Sequence, residues 1–573
     1  MKRTAGRILT VLALILGLAA LGSAQQAKIL TILHTNDTHS AMLPFTHQPY
    51  PAPFVGRLAD HIVTWCDDFR TPFGFDRDYA GIARMATLIK RIRMAKRGVL
   101  ALNAGDVFVG SFEFNEYLGY PELKIMEKLY DAMELGNHEF DLGLGALTGV
   151  VTGALAHGDP VTLPLLNANF DLSNVPVLSD IVQKRIIKTV DGVKVGIFGL
   201  VTEDPVNYGP SVIPLFSGDI PGVAAAQVQY LKGQGCQVII CLSHLGTSGD
   251  MDLADSVEGI DIIVGGHSHD LFSKAVIRNG KIIVQAGSHG RYLGELQVKV
   301  DAGGVKFLKW QVHQVDKTVM PDPAVNAQLA VLRAGILQDP RFSIFGNVYA
   351  DTVATAVRNI AHDPPAFGNH RDAALANLVT DALRTALQSA SGVPPVDCVL
   401  DALGYTEFGI PAGRIVGNDI MRAVPYGYDP ASGLGFKVVI TALPPDLILG
   451  GLEYSLAASL SIQASGLTFA YDSSLPPSQY LGQISQLDPM SVKIGGTPIL
   501  ASGRPYYFVG MTDQVFNFLN ILVGGQLQRF DPDPPIFEYA AVRSYMQSLG
   551  TIDYKSEGRI IDTAAAPMAV RKH

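Results

Sequence analysis

The strongest constraint on this chain is a repeated local pattern: five short apolar runs each stop at a cluster of polar, ligand-type side chains. Ile29–Leu33 leads to His34-Thr35-Asn36-Asp37-Thr38-His39, and Val99–Leu102 leads to Asn103-Ala104-Gly105-Asp106. Ala132–Leu135 leads to Gly136-Asn137-His138-Glu139-Phe140-Asp141. Val238–Leu242 leads to Ser243-His244, and Ile260–Val264 leads to Gly265-Gly266-His267-Ser268-His269. All but Ala132–Leu135 of these runs, with Val193–Leu200 and Ile282–Gln285, carry Val and Ile without strict alternation, which predicts strands buried on both faces. Between them Ile82–Met94 and Val223–Lys232 carry apolar residues at helical spacing. Strands interleaved with helices imply a layered α/β domain. In such a sheet ligands gather outside the carboxyl ends of the strands, so the five clusters are expected to converge. Glycines beside them let the backbone turn without a Cβ clash.

The chemistry follows from the residue types. Asp, His and Asn together offer oxygen and imidazole nitrogen, a donor set for Mn, Fe, Zn or Co rather than Ca. Asp37, His39, Asp106, Asn137, His244, His267 and His269 are too many groups for one ion. They suit two ions about 3.5–4 Å apart that share a carboxylate. His34 lies inside a strand pattern and is read as structural; His47, His61, His157 and His289 carry no motif and are read as ordinary histidines.

Taken in order, Asp37-x-His39, Gly105-Asp106, Gly136-Asn137-His138-Glu139, His244 and Gly266-His267-x-His269 resemble the calcineurin-like metallophosphoesterases. The spellings His-Thr-Asn-Asp-x-His, Gly-Asn-His-Glu-Phe-Asp and Gly-Gly-His-Ser narrow the resemblance to the secreted 5′-nucleotidase/UDP-sugar hydrolase branch. The resemblance implies a four-layer α/β/β/α catalytic domain over residues 27–315 and an α+β nucleotidase-type domain over 342–565. It implies that Asp37, His39, Asp106 and His269 hold one metal, and that Asp106, Asn137, His244 and His267 hold the other. His138 would be the catalytic histidine, oriented by Asp141, and metal-bound hydroxide would attack phosphorus. The dimanganese thiosulfohydrolases of sulfur oxidation share the opening motif and are the alternative.

The remaining sequence sets the context. Residues 316–341 read as a connector, with Pro321 and Pro323 ahead of a helix at Ala324–Leu337; a further helix is expected at Asp372–Leu387. The second unit resembles the family's substrate domain through Asn377-Leu378-Val379-Thr380-Asp381-Ala382, Ile410-Pro411-Ala412-Gly413, Pro425-Tyr426-Gly427, Ser465-Gly466-Leu467 with Tyr471-Asp472, and Gly524-Gly525. It departs where the family has Asn-Gly-Gly-Gly-Ile-Arg: this chain reads Asp401-Ala402-Leu403-Gly404-Tyr405-Thr406-Glu407, without the Arg. Gln526 stands where an acid is expected. By the resemblance Arg371 would grip substrate, and Tyr426 with Phe516 or Phe518 would stack on a base. A lost Arg removes bidentate recognition, so a small phosphate ester with altered nucleotide preference is the expected substrate.

The formal charge of −9 argues against a nucleic-acid polymer as partner. Four cysteines without CxxC spacing exclude zinc-finger and thioredoxin readings. Lys2, Arg3 and Arg7, the apolar run Ile8–Leu21 and Gly22-Ser23-Ala24 read as a signal peptide over 1–24. The expected location is therefore periplasmic or extracellular, with no membrane span after cleavage. The proline- and aromatic-rich segment from Phe45 to Tyr79 is expected near the mouth of the site.

Overall fold

Each ligand-bearing run becomes a strand because its side chains can be buried on both faces, and the two sheets that result stack against each other. The computed structural model describes residues 27–46, 57–58, 61–62, 78–365, 368–458, 460–476 and 486–565. The expected leader, most of the segment between Phe45 and Tyr79 with Cys66 and His47, and the last eight residues lie outside the described residues.

One sheet has seven strands, in the order Gly304–Gln314, Tyr292–Asp301, Lys28–Thr35, Val99–Asn103, Ala132–Glu134, Leu165–Leu166 and Val182–Gln183. The five strands from Lys28–Thr35 onward run parallel. The other sheet has six strands, and Val193–Val201, Val238–His244, Ile262–Gly265 and Lys281–Val284 form its parallel centre. Register brings the strand ends level: Thr35 pairs with Asn103, and Val201 with His244.

The inner faces interlock through Ile32, Leu102, Ile240 and Val264, all buried. Helices cover the outer faces. Ile82–Ala95 buries Met85, Leu88, Ile89 and Ile92 against the first sheet, while Val228, Leu231 and Leu253 cover the second. Each such side chain contributes about 1.5–3 kcal/mol on burial. Truncating Ile89 to Ala would cost roughly 2–5 kcal/mol, because the sheet beneath it cannot close the void. These layers are the expected α/β/β/α order.

The helix Pro323–Gln338 begins at Asp322, whose side chain accepts the Val325 N–H at 3.1 Å. The second half is α+β. Its four-stranded sheet, Val438–Leu443, Tyr507–Thr512, Cys398–Ala402 and Ile462–Ser465, carries the helix Ala374–Ser389. That helix starts two residues later than its periodicity predicts, because Asp372 turns away to accept the backbone N–H groups of Glu557 (2.6 Å) and Gly558 (2.9 Å). The halves meet through Phe112, whose ring packs on Phe342 at 5.3 Å and Tyr539 at 5.4 Å. Polar clasps add to it: Tyr349 Oη donates to Glu113 at 2.8 Å, and Arg422 donates to the Leu43 carbonyl at 3.2 Å. Cys236, Cys241 and Cys398 are free thiols.

Candidate metal centre

The site is built where the strand ends meet, and the backbone there is bent into an unusual shape. Asp37, His39, Asp106, His267, His269 and His289 all have φ between 43° and 73°. For side chains with a Cβ this left-handed region costs about 1–3 kcal/mol each, and it persists only where neighbours enforce it. The enforcing contacts are backbone hydrogen bonds from Asp37 to Gly105 (2.9 Å), from His39 to Asp106 (3.0 Å) and from His289 to Asp37 (2.6 Å). Gly136 lets two of the loops touch, since a Cβ there would stand 2.2 Å from Asp106 Oδ1. Glu139 ties them together: its carboxylate accepts the N–H groups of Asp106, Val107, Phe108 and Gly136 at 2.6–3.1 Å.

Four overlapping donor groups result among the described residues: His39 with Asp106 and His138, His269 with His289 and Glu407, and two made wholly of the expected ligands. Asp37, His39 and His269 place ligand atoms within 4.8 Å of one another, as do Asp106, His244 and His267. Asp106 stands between them, its Oδ2 at 3.0 Å from His244 Nε2 and 4.0 Å from His39 Nε2. His39 Nε2 and His269 Nε2 face each other at 3.0 Å, and His269 Nε2 lies 3.6 Å from Asp37 Oδ1.

His244 Nδ1 stands 2.6 Å from the Ala104 carbonyl, and its Nε2 stands 3.0 Å from Asp106 Oδ2. Although burial opposes charge on this ring, Asp106 outweighs it and raises the His244 pKa to about 9, so the carboxylates draw positive charge to this point. Asn137 Oδ1 is buried without a hydrogen-bond partner. Burial lowers the pKa of His39 and His269 and, with His244 beside it, brings His267 to about 3. The rings are thereby held neutral, the form that binds a cation. Although burial opposes ionisation, His244 and His138 hold the Asp106 carboxyl well below its ordinary value. Buried carboxylates and imidazoles that converge on one another fit divalent cations, and the N/O donor set fits Mn, Fe, Zn or Co.

His138 follows Asn137 directly, and its ring lies 5.2 Å from that of His39. Its Nδ1 meets Asp141 Oδ2 at 2.7 Å. Burial alone would discharge this ring, but Asp141 and Asp106 outweigh it and hold its pKa up at about 10. Tyr426 stacks on His138 at 5.5 Å and 29°, and its hydroxyl donates to Glu407 Oε2 at 2.6 Å. Beyond His138 opens a cavity of about 460 Å³, walled by Asn137, Tyr208, Tyr405, Tyr426 and Phe436. Its near wall comes from the first half of the chain and its aromatic far wall from the second.

Asp37, His39, Asp106, His244, His267 and His269 thus meet around one centre, with His138 and Asp141 beside them, and Asn137 lies next to His138 in the chain with its side-chain oxygen unpaired. Tyr426 lines the cavity, whereas Arg371 and Phe518 do not. Arg371 is drawn off by Asp562 at 3.5 Å and donates to the Gly368 carbonyl at 2.9 Å. Phe518 leans on Tyr454, with ring centres 6.0 Å apart, and Phe516 is buried beneath Arg529. His34 is a core residue stacked on Trp310 at 5.3 Å, and His157 is exposed.

Two residues of the site escaped the sequence reading. His289, left as an ordinary histidine, sits 3.0 Å from Glu407 Oε1 with its ring 5.1 Å from that of His39. It too follows an apolar run, Lys281–Val284, and that was the available signal. Glu407 arrives from the second half, in the stretch where an Arg was missed.

Residues 30–271 match the family model of the calcineurin-like phosphoesterases. The chain is 28% identical over 430 residues to the trifunctional nucleotide phosphoesterase YfkN of Bacillus subtilis, covering 70% of this chain and 26% of YfkN. It is 33% identical over 329 residues to the venom 5′-nucleotidase of Naja atra, covering 53% and 56% of the two chains. The chain thus spans about a quarter to a half of the length of these curated relatives. The crystal structure of a 5′-nucleotidase precursor from Thermus thermophilus superposes with a TM-score of 0.74 at 26% identity, over 95% of this chain and all of that one.

Proposed function

We propose, from the premise that this chain belongs through residues 30–271 to the calcineurin-like phosphoesterases, that it is an exported hydrolase of small phosphate esters with nucleotides as the preferred class. The observation that carries the reading is the position of His138. It stands between a buried set of Asp and His donors and a cavity with an aromatic wall. Asp37, His39, Asp106 and His269 would hold one cation, and Asp106, Asn137, His244 and His267 a second. A bound pair of cations neutralises phosphoryl oxygens and lowers the pKa of water between them.

The chain's own residues supply the rest. His138, charged through neutral pH, carries a proton on the cavity side and hands it to the departing oxygen. Asp141 fixes that ring through Nδ1, leaving Nε2 as the working nitrogen. Glu139 holds the Asp106 and Gly136 loops at a fixed spacing. Tyr405 and Phe436, edge to face at 5.3 Å, brace each other in the cavity wall and offer aromatic surface to a planar leaving group. No helix among the described residues is long and apolar enough to cross a membrane.

The test is a substrate panel with Mn²⁺, Zn²⁺ or Co²⁺: an aryl phosphate, AMP, ATP, a UDP-sugar and a thiosulfonate. Release of phosphate, fastest from a nucleotide, is expected. Phosphate from none of the esters, or turnover of the thiosulfonate alone, would overturn the reading.

A further inference from the structure

Glu407 belongs to the second half of the chain, yet both its oxygens are committed at the centre formed by the first. Oε1 stands 3.0 Å from His289 Nε2 and 3.7 Å from His269 Nδ1, and Oε2 accepts the Tyr426 hydroxyl at 2.6 Å. The carboxylate is 15% exposed, so little water competes for it. His269 meets Asp37 and His39 through Nε2, which leaves Nδ1 as the nitrogen that an outside group can orient. Neighbouring contacts fix the segment: the Glu407 N–H bonds to the Ala423 carbonyl at 3.1 Å, and Phe408 packs on the His289 ring at 4.3 Å.

We infer that Glu407 is a positioning residue through which the second half completes the metal centre of the first. Its carboxylate, 3.7 Å from His269 Nδ1, favours by its charge the tautomer that carries the proton there, which leaves Nε2 for the cation held with Asp37 and His39. Carboxylates placed in this way behind a ligating imidazole raise its basicity, and their loss weakens metal affinity by about 10–100-fold. Through Tyr426 the same carboxylate is joined to the face of His138, so one side chain ties the substrate wall, the proton donor and one cation together. The residue that interrupts the expected Arg motif thus has a role of its own. This inference rests on the two-cation reading above.

The experiment is Mn²⁺ binding to the full chain after chelation, followed by equilibrium dialysis with elemental analysis. The wild-type chain is expected to bind two ions. Glu407→Gln keeps the side chain's size and removes its charge. One of its two ions should weaken by about 10–100-fold, with the other unchanged. Saturating Mn²⁺ should then restore most of kcat, which a misfolded site would not allow. Glu407→Asp draws the carboxylate back by one methylene and should fall between the two; it also serves if Glu407→Gln does not fold. Two ions of unchanged affinity in a folded variant would overturn the inference while leaving the proposed function intact. A third ion per chain, lost in Glu407→Gln, would also overturn it, because Glu407 would then be a ligand. No ion on the wild-type chain would instead sink the two-cation reading itself.

Discussion

Two polar clusters, one on the seven-stranded sheet and one where the strand ends of both sheets meet, use similar residues to opposite ends. At Glu295, buried in the strand Tyr292–Asp301, every partner is a donor. Lys96 Nζ and Gln297 Nε2 (2.6 Å) reach one oxygen, while His313 Nε2 and Gln311 Nε2, both at 2.8 Å, reach the other. Burial opposes ionisation of Glu295, yet Lys96 and His313 hold its pKa down at about 2. At Asp37, Asp106, His39 and His244 the neighbours are instead other ligand-type groups: His244 Nε2 faces Asp106 Oδ2 and His39 Nε2 faces His269 Nε2, each at 3.0 Å. A buried carboxylate whose lone pairs are all matched by donors is finished. The other cluster draws positive charge onto His244, and it also carries the strained backbone.

The comparison can be broken most severely at Asp106, which stands between both donor groups. Asp106→Ala should lower kcat by roughly a thousandfold or more and remove bound metal, read by steady-state kinetics and elemental analysis. Retention of both ions would show that Asp106 is not shared. Next in size, His138→Ala should lower kcat by about 10²–10⁴-fold while the metal content stays whole. Metal loss there would move His138 into the ligand set. Tyr405→Ala should raise KM for a nucleotide by about tenfold, the worth of one stacking contact, and leave KM for glycerol phosphate unchanged. Equal effects on both substrates would remove Tyr405 from the recognition wall.

The matched cluster should answer in stability rather than in activity. Glu295 has a folded pKa near 2, below its ordinary 4.5, so its contribution is present above pH 4.5 and fades as pH falls toward 2. Glu295→Gln should cost roughly 2 kcal/mol at pH 7, with the gap to wild type narrowing between pH 4.5 and 3 in urea melts. Metal content and kcat should not change. A gap independent of pH would mean that the ion pair with Lys96 contributes nothing.

Much of this was legible because it is local. Val- and Ile-rich runs of strand length can only be buried on both faces, and polar residues at their ends must gather at one edge. That places Asp37, Asp106 and His267 together without any knowledge of tertiary contacts. The helix Pro323–Gln338 was equally plain, announced by Pro321 and Pro323 ahead of an amphipathic run. What escaped depends on how distant segments pack. Glu407 reaches His289 only because the second half docks through Phe112, and no local pattern reports that docking. Arg371 stands outside the cavity wall for the converse reason. A cation at a helix start looks free in sequence, but Asp562 lies 191 positions away and claims it.

The central claim is that two cations share Asp106. Anomalous diffraction from crystals grown with Mn²⁺ tests it most directly. The account predicts two peaks about 3.5–4 Å apart, one among Asp37, His39 and His269 and one among Asn137, His244 and His267, with Asp106 between them. A single peak, or peaks elsewhere with these donors paired among themselves, would contradict it.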